Sequence, residues 1–155
     1  ASSSQMSPIR IQLFTKDGWM RMGDICELDA DGYLRVTGRT SDFIVRGGKN
    51  ISAVAVEDAV TMHPAVAIAA AIAMPDPIFG EKVCVYVELA ELAESSALDL
   101  PTLNHYLLAH GVSKELLPER LVIVDELPRS SGGKIAKGKL REVIREELGP
   151  DYERT

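Results

Sequence analysis

Apolar residues recur along this chain with two different periods, and the switches between them mark its elements. Between residues 17 and 37, Ile25, Leu28, Leu34 and Val36 provide apolar positions on either side of Asp29-Ala30-Asp31-Gly32. The glycine tolerates the positive φ of a tight turn, so a hairpin is predicted. A second short pair, residues 43–46 and 50–52, folds about Gly47-Gly48, where two glycines permit a sharp reversal and leave the backbone open to close approach. From Ser52, a residue suited to capping, Val56, Ala59, Val60 and His63 recur at helical spacing until Pro64 ends the helix. Residues 66–74 then alternate Val66, Ile68, Ala70, Ile72 and Met74 with alanines, which predicts a central strand covered on both faces. Beyond Pro75-Asp76-Pro77 and Gly80, Val83, Val85, Val87 and Leu89 alternate with Cys84, Tyr86 and Glu88 as a further strand.

Asp99 and Pro101 open a second helix with Leu103 and Leu107 on its apolar face, and Gly111 suits its left-handed end. Residues 121–124 form a short third strand. A last helix beginning near Ala136 carries Leu140, Val143, Ile144 and Leu148 on one stripe before Gly149-Pro150. From Ser52 onward the order is helix, strand, strand, helix, strand, helix. The expected fold is α+β: a small mixed β-sheet covered by helices and preceded by β-hairpins.

With 155 residues, 46% hydrophobic and 26% charged, the chain has the size and composition of one folded domain. Its net charge of −6 provides no cationic field for a polyanion, so nucleic acid is not an expected partner. Cys26 and Cys84 lack partners at metal-ligand spacing and suit free thiols in a reducing compartment, here read as the cytoplasm. No apolar run reaches the ~20 residues of a membrane span. Residues 1–5 are polar, resemble no signal peptide and are read as a cloning remnant or a frayed end.

Glycines and polar residues concentrate in residues 18–24, 38–50, 75–82 and 128–139. Several chemistries are excluded there. Lys134 follows Gly132-Gly133 but is followed by Ile135, so the P-loop pattern is absent. His63, His105 and His110 form no i, i+4 pair, no carboxylate-histidine cluster suggests a metal, and no Gly-x-Ser-x-Gly elbow occurs. Taken individually, each has a bland reading that is preferred: Asp24 as a turn cap, Arg39 as a surface ion-pair partner and Lys134 as a solvated loop cation.

The ordered set of motifs changes that balance. Gly18-Trp19-Met20-Arg21-Met22-Gly23-Asp24, Asp31-Gly32-Tyr33-Leu34 and Gly38-Arg39-Thr40-Ser41-Asp42-Phe43-Ile44-Val45-Arg46-Gly47-Gly48-Lys49-Asn50-Ile51 come first. Glu57, His63-Pro64-Ala65-Val66, Pro75-Asp76-Pro77, Gly80-Glu81 and Leu127-Pro128-Arg129-Ser130-Ser131-Gly132-Gly133-Lys134-Ile135 follow. Together, over residues 16–148, the chain closely resembles the carboxyl-terminal region of adenylate-forming enzymes, a group of acyl-CoA and aryl-CoA synthetases, luciferases and peptide-synthetase adenylation domains.

The resemblance implies that residues 1–40 are a trailing segment of a large amino-terminal domain and residues 41–155 a mobile carboxyl-terminal domain, with the join at residues 40–42. It implies ATP-dependent activation of a carboxylic acid, in the first instance a fatty acid, to an acyl-adenylate and transfer to coenzyme A. ATP, Mg2+ and coenzyme A are the implied cofactors, with the main ATP and Mg2+ sites in the large domain, which is the implied partner. Lys134 matches the adenylation lysine, Asp24 the ribose ligand, Arg39 a second nucleotide contact and Ser41 the hinge, where the family usually has Asp or Lys. Gly47 and Gly48 match the lining of the pantetheine tunnel. Arg46 and Lys49 beside them suit coenzyme A phosphates, or equally are solvated cations at a strand end. Glu57 matches a family position but has a competing role near a helix start. Most of the basic residues Lys137, Lys139, Arg141 and Arg145 are expected to face solvent or pair with Glu142 and Glu146. Two alternatives stay open: an aryl-acid ligase or adenylation domain serving a carrier-protein pantetheine, and a non-catalytic interaction module.

Overall fold

A computed structural model describes residues 17–18, 23–28, 30–39, 42–91, 93 and 98–149. The chain divides into two compact units, Ala1–Ser41 and Asp42–Thr155. In the first, β1 (Asp24–Leu28) pairs antiparallel with β2 (Leu34–Arg39), with a register irregularity between Ile25 and Cys26. Gly32 holds the reversal at a φ of +84°. Residues 1–5, 19–22, 29, 40, 41 and 150, and with them the proposed hinge Ser41, lie outside the described residues.

The second unit is a five-stranded mixed sheet between helices. Strands β3 (Phe43–Arg46) and β4 (Lys49–Ser52) form the glycine hairpin, and helix α1 (Ala53–Val60) follows directly, its first turn capped by the Ser52 hydroxyl accepting from the Ala55 N–H. Strands β5 (Val66–Asp76) and β6 (Gly80–Leu89) pair antiparallel along their length. Helix α2 (Leu100–Ala109), capped by Asp99, crosses over to β7 (Arg120–Ile123), which runs parallel to β6. Helix α3 (Lys137–Leu148) closes the chain and ends at Gly149, whose φ is +76°.

The expected central position of residues 66–74 does not hold. Among the described strands, β6 is central, with β5 on one side and β3 and β7 on the other, while β5 has β6 as its single strand neighbour. The alternation misled because burial on both faces does not require a strand on both edges. Helix α1 packs on β5 from one side and α3 from the other. One face sends Ala69, Ala71, Val83, Val85 and Val87 into a core with Ile44, Ile51, Val56, Val60, Leu103 and Leu107. The opposite face sends Ala70, Ile72, Met74, Cys84 and Tyr86 into a second core with Leu127, Leu140 and Ile144. Alanines at 69, 70 and 71 let the helices approach the sheet closely. Among the described residues, no helix is long and apolar enough to cross a membrane.

Candidate functional site

Lys134 lies in a closed, exposed loop between Leu127 and α3. Leu127 is 1% exposed and roots the loop in the second core. The backbone then folds on itself: the Ser130 N–H donates to the Lys134 carbonyl at 2.7 Å, the Gly133 N–H to the Ser130 carbonyl at 2.9 Å, and the Ala136 N–H to the Pro128 carbonyl at 2.6 Å. Arg129 and Ile135 face each other as an antiparallel bridge. Gly133 has a φ of +77°, a conformation that disfavours a Cβ, so this reversal requires glycine. Lys134 is exposed, and no ion pair with another described residue holds its ammonium group. The loop is a short, internally hydrogen-bonded finger with an exposed cation near its tip.

The glycine turn between β3 and β4 is built differently. Gly47 and Gly48 have φ values of +57° and +81°, the paired left-handed residues of a two-residue hairpin turn. The Gly47 N–H donates to the Phe79 carbonyl at 2.8 Å, tying the turn to the β5–β6 connection. Asp76 shapes that connection by accepting from the Ile78 and Phe79 N–H groups, and its hydrogen bond with Lys82, together with those backbone donors, lowers its pKa. A Cβ on Gly48 meets nothing within 4 Å, so the backbone there is open to an approaching group.

Arg46 and Lys49, cross-strand partners flanking the turn, are both engaged by carboxylates. The Arg46 guanidinium pairs with Glu119 and donates to the Glu115 carbonyl at 2.7 Å, while Lys49 pairs with the Glu115 carboxylate. The Lys49 hydrogen bond and charge lower the Glu115 pKa. The second Glu119 oxygen accepts from the Val83 N–H at 2.7 Å, so Arg46 is held against the sheet. Its side chain is 18% exposed, whereas that of Lys49 is 69% exposed. Of the two, Lys49 is the more available to an anionic ligand.

The two loops are fastened far apart on the same strand. The glycine turn meets the start of β6, where Arg46 pairs with Gly80. The entry to the lysine loop meets its far end, where the Glu88 carboxylate accepts from the Leu127 N–H at 2.7 Å. At the ~3.4 Å rise of an extended strand, the separation between Gly80 and Glu88 is about 27 Å. The glycine hairpin contributes Ile44 and Ile51 to the first core, and the lysine loop contributes Leu127 and Ile135 to the second, on the opposite face of the sheet.

Asp24 and Arg39 belong to the first unit, and the β1–β2 register makes them direct partners at the open end of the ladder. Their backbones are thus adjacent, although fifteen positions separate them in sequence. Among the described residues, no group of three or more His, Cys, Asp or Glu side chains converges on a possible metal position.

Three acidic residues emerge that the motif pattern does not single out for these roles: Glu57, Glu88 and Glu119. Of the two readings of Glu57, the helix-start role does not hold, since the first turn of α1 contains no acid. Glu57 lies in the second turn of α1, and its Oε1 accepts from the Ala71 N–H on β5 at 2.7 Å and pairs with Lys137 Nζ at 2.8 Å. Lys137 is thereby an exception to the expected pairing within the last helix. For Glu88, a lone acid inside the apolar stretch 83–89 was the available signal.

Residues 55–134 match the model of the AMP-binding enzyme C-terminal domain, and the match ends on Lys134. The chain is 40% identical over 136 residues to a medium-chain fatty-acid–CoA ligase of Escherichia coli, covering 88% of the chain and 24% of that protein. It is 45% identical over 132 residues to a salicylyl-CoA synthase / salicylate adenylyltransferase of a Streptomyces species, covering 85% of the chain and 23% of that protein. Among solved structures, ATP-bound MatB from Rhodopseudomonas palustris superposes with a TM-score of 0.75 at 30% identity, covering 88% of this chain and 26% of that one. The chain thus spans about a quarter of the length of these relatives.

Proposed function

The chain belongs to the AMP-binding enzyme C-terminal domain family, and from that premise we propose that it is the moving part of an acid–thiol ligase. In this reading residues 1–40 trail from a large amino-terminal domain, which binds ATP and the acid, and residues 41–155 turn about Ser41. A carboxylate oxygen attacks the α-phosphorus of ATP, the bond to the β-phosphate oxygen breaks, and pyrophosphate leaves. The sulfur of coenzyme A, giving up its proton, then attacks the acyl carbon, and AMP departs with the bonding electron pair.

Lys134 serves the first step. Two anions approach one another there, and a preplaced ammonium group offsets their repulsion in the transition state. Its exposed finger suits insertion into a cleft. Asp24 accepts from the ribose hydroxyls and Arg39 reaches the nucleotide beside it. For the second step the Gly47-Gly48 turn replaces the finger, its open backbone lining the path of the pantetheine arm, and Lys49 and Arg46 lie beside that path. Lys49 is the better placed to meet a coenzyme A phosphate, because Arg46 is already bound to Glu119.

The observation that carries the proposal is the fastening of the two loops at opposite ends of β6 and on opposite faces of the sheet. A rigid body so built presents one loop at a time to a single cleft, which requires a rotation between half-reactions. Mg2+ belongs in this reading with ATP in the large domain. The buried Cys84 thiol suits a reducing, cytoplasmic setting.

The experiment uses the enzyme that carries this chain at its carboxyl end. Lys134→Ala should slow acyl-adenylate formation, followed by pyrophosphate exchange, by about 100- to 1,000-fold. Thioester formation from preformed acyl-adenylate should be unchanged. Equal loss in both steps would remove Lys134 from its role, and inactivity of the unaltered enzyme in both would favour a non-catalytic module. The resemblance to a salicylate-activating relative supports a second reading, an aryl acid passed to coenzyme A or a carrier-protein pantetheine. A panel of fatty and aryl acids with both acceptors discriminates the two.

A further inference from the structure

Helix α3 begins in a way that its own sequence does not explain. Its cap residue, Ala136, makes no side-chain hydrogen bond, and its first turn contains no acidic residue. Its first residue is Lys137, a cation where the helix dipole favours an anion. The cost is met from elsewhere in the fold. Lys137 Nζ lies 2.8 Å from Glu57 Oε1, and both side chains are 18% exposed. The same Glu57 oxygen accepts from the Ala71 N–H at 2.7 Å, so the pair is pinned to the backbone of β5.

The other limb of the lysine finger is held in a parallel way. Glu88 Oε1 accepts from the Leu127 N–H at 2.7 Å and lies 3.7 Å from the Arg129 guanidinium. Between these two anchors the backbone hydrogen bonds from Pro128 to Ala136 make the finger one closed unit. Lys137 is three residues from Lys134 and is the first residue beyond that closed segment with a side chain fixed to the sheet.

We propose that Glu57 is a positioning residue for the adenylation step: acting through Lys137, it fixes the direction in which the finger presents Lys134. It touches neither substrate nor the reacting atoms. The inference rests on the reading of Lys134 given above, but the anchoring itself does not. Glu57→Gln keeps an oxygen for the Ala71 N–H and removes the charge that Lys137 needs, so it isolates the ion pair. Lys137→Gln does the same from the other side, and Lys137→Arg restores the charge.

The test has two arms. In the 155-residue chain, amide hydrogen exchange is followed by mass spectrometry. Glu57→Gln and Lys137→Gln should speed exchange at residues 128–137 by about tenfold while β5, β6 and α2 keep their protection. Lys137→Arg should keep the unaltered rate. In the enzyme, the same two glutamine variants should slow pyrophosphate exchange by about 10- to 100-fold, the scale of a 1 Å misplacement. Thioester formation from preformed acyl-adenylate should stay as in the unaltered enzyme. Unchanged exchange in the finger, or loss of protection throughout the unit in both glutamine variants, overturns the anchoring. Faster exchange in the finger with equal effects on the two half-reactions overturns the positioning role. If Lys134→Ala itself shows no selective loss of adenylation, the functional reading fails while the exchange arm still decides the anchor. Should Glu57→Gln not fold, the Lys137 pair of variants carries the test alone.

Discussion

Truncating Ile144 to alanine tests whether α3 is docked to the sheet through the row of side chains described. Ile144 is 0% exposed, in the core that β5 and β6 share with Leu127 and Leu140. The change removes three carbons, worth about 2.4 kcal/mol at ~0.8 kcal/mol for each buried methylene. A cavity adds to this, in a core also filled by Ala70, Ile72, Met74, Leu127 and Leu140. The expected total is about 3–4 kcal/mol, in the upper part of the range for such truncations. The neighbouring Val143 is 43% exposed, and Val143→Ala should fall within about 0.5 kcal/mol of the unaltered chain, since alanine is also the better helix former. Urea unfolding followed by circular dichroism measures both. With a slope of roughly 1–1.5 kcal/mol per molar urea, Ile144→Ala should lower the midpoint by about 2 M or more at unchanged slope. A loss below about 1 kcal/mol, or an equal loss for Val143→Ala, would refute the docking of α3 through this row.

Two further outcomes follow from the same structure. Gly48→Ala should cost about 1–2 kcal/mol through its left-handed backbone alone, because no atom lies in the way, and Gly48→Asn should cost less; equal midpoints for the two variants in urea would contradict this. Burial pushes the Cys84 thiol up to about 12, so in a Cys26→Ser background alkylation at pH 8 should occur only on unfolding. The unfolded thiol, near 8.5, loses its proton first as pH rises. The stability contributed by Cys84 is therefore present below that pH and is lost above it, and a Cys84→Ala chain should show a flatter alkaline profile.

Much of the architecture is written in local chemistry. The caps at Ser52 and Asp99, the positive-φ glycines at 32, 47, 48, 111 and 149, and the alternating runs of β5 and β6 are local signals, and the elements begin and end accordingly. The order of strands is not local. Residues 66–74 have the pattern of an interior strand because helices cover both faces, and nothing in that run reveals that β6 is its single partner among the described strands. The lysine finger is likewise legible as a motif, while its supports are not. Glu57 reaches a backbone N–H 14 residues away, Glu119 one 36 away and Glu88 one 39 away. Arg46 illustrates the same point: a cation beside a glycine turn suggests an anionic ligand, until the fold brings Glu119 to it.

The position of β5, with β6 as its single neighbour among the described strands, also bears on how its outer edge could meet another chain. Eleven residues of extended, mostly uncharged backbone, with N–H and C=O groups directed outward on one side, would serve as a template for intermolecular pairing. Residues 66–74 contain no proline and no charge, the composition that favours stacked sheets. Glu57 occupies the Ala71 N–H near the middle of that row, and Lys137 adds a second charge at the same point. An incoming strand would have to displace a half-buried ion pair before it could register. The Glu57–Lys137 pair thus places two charges on the one outward-facing N–H of β5 where a pairing strand would have to register.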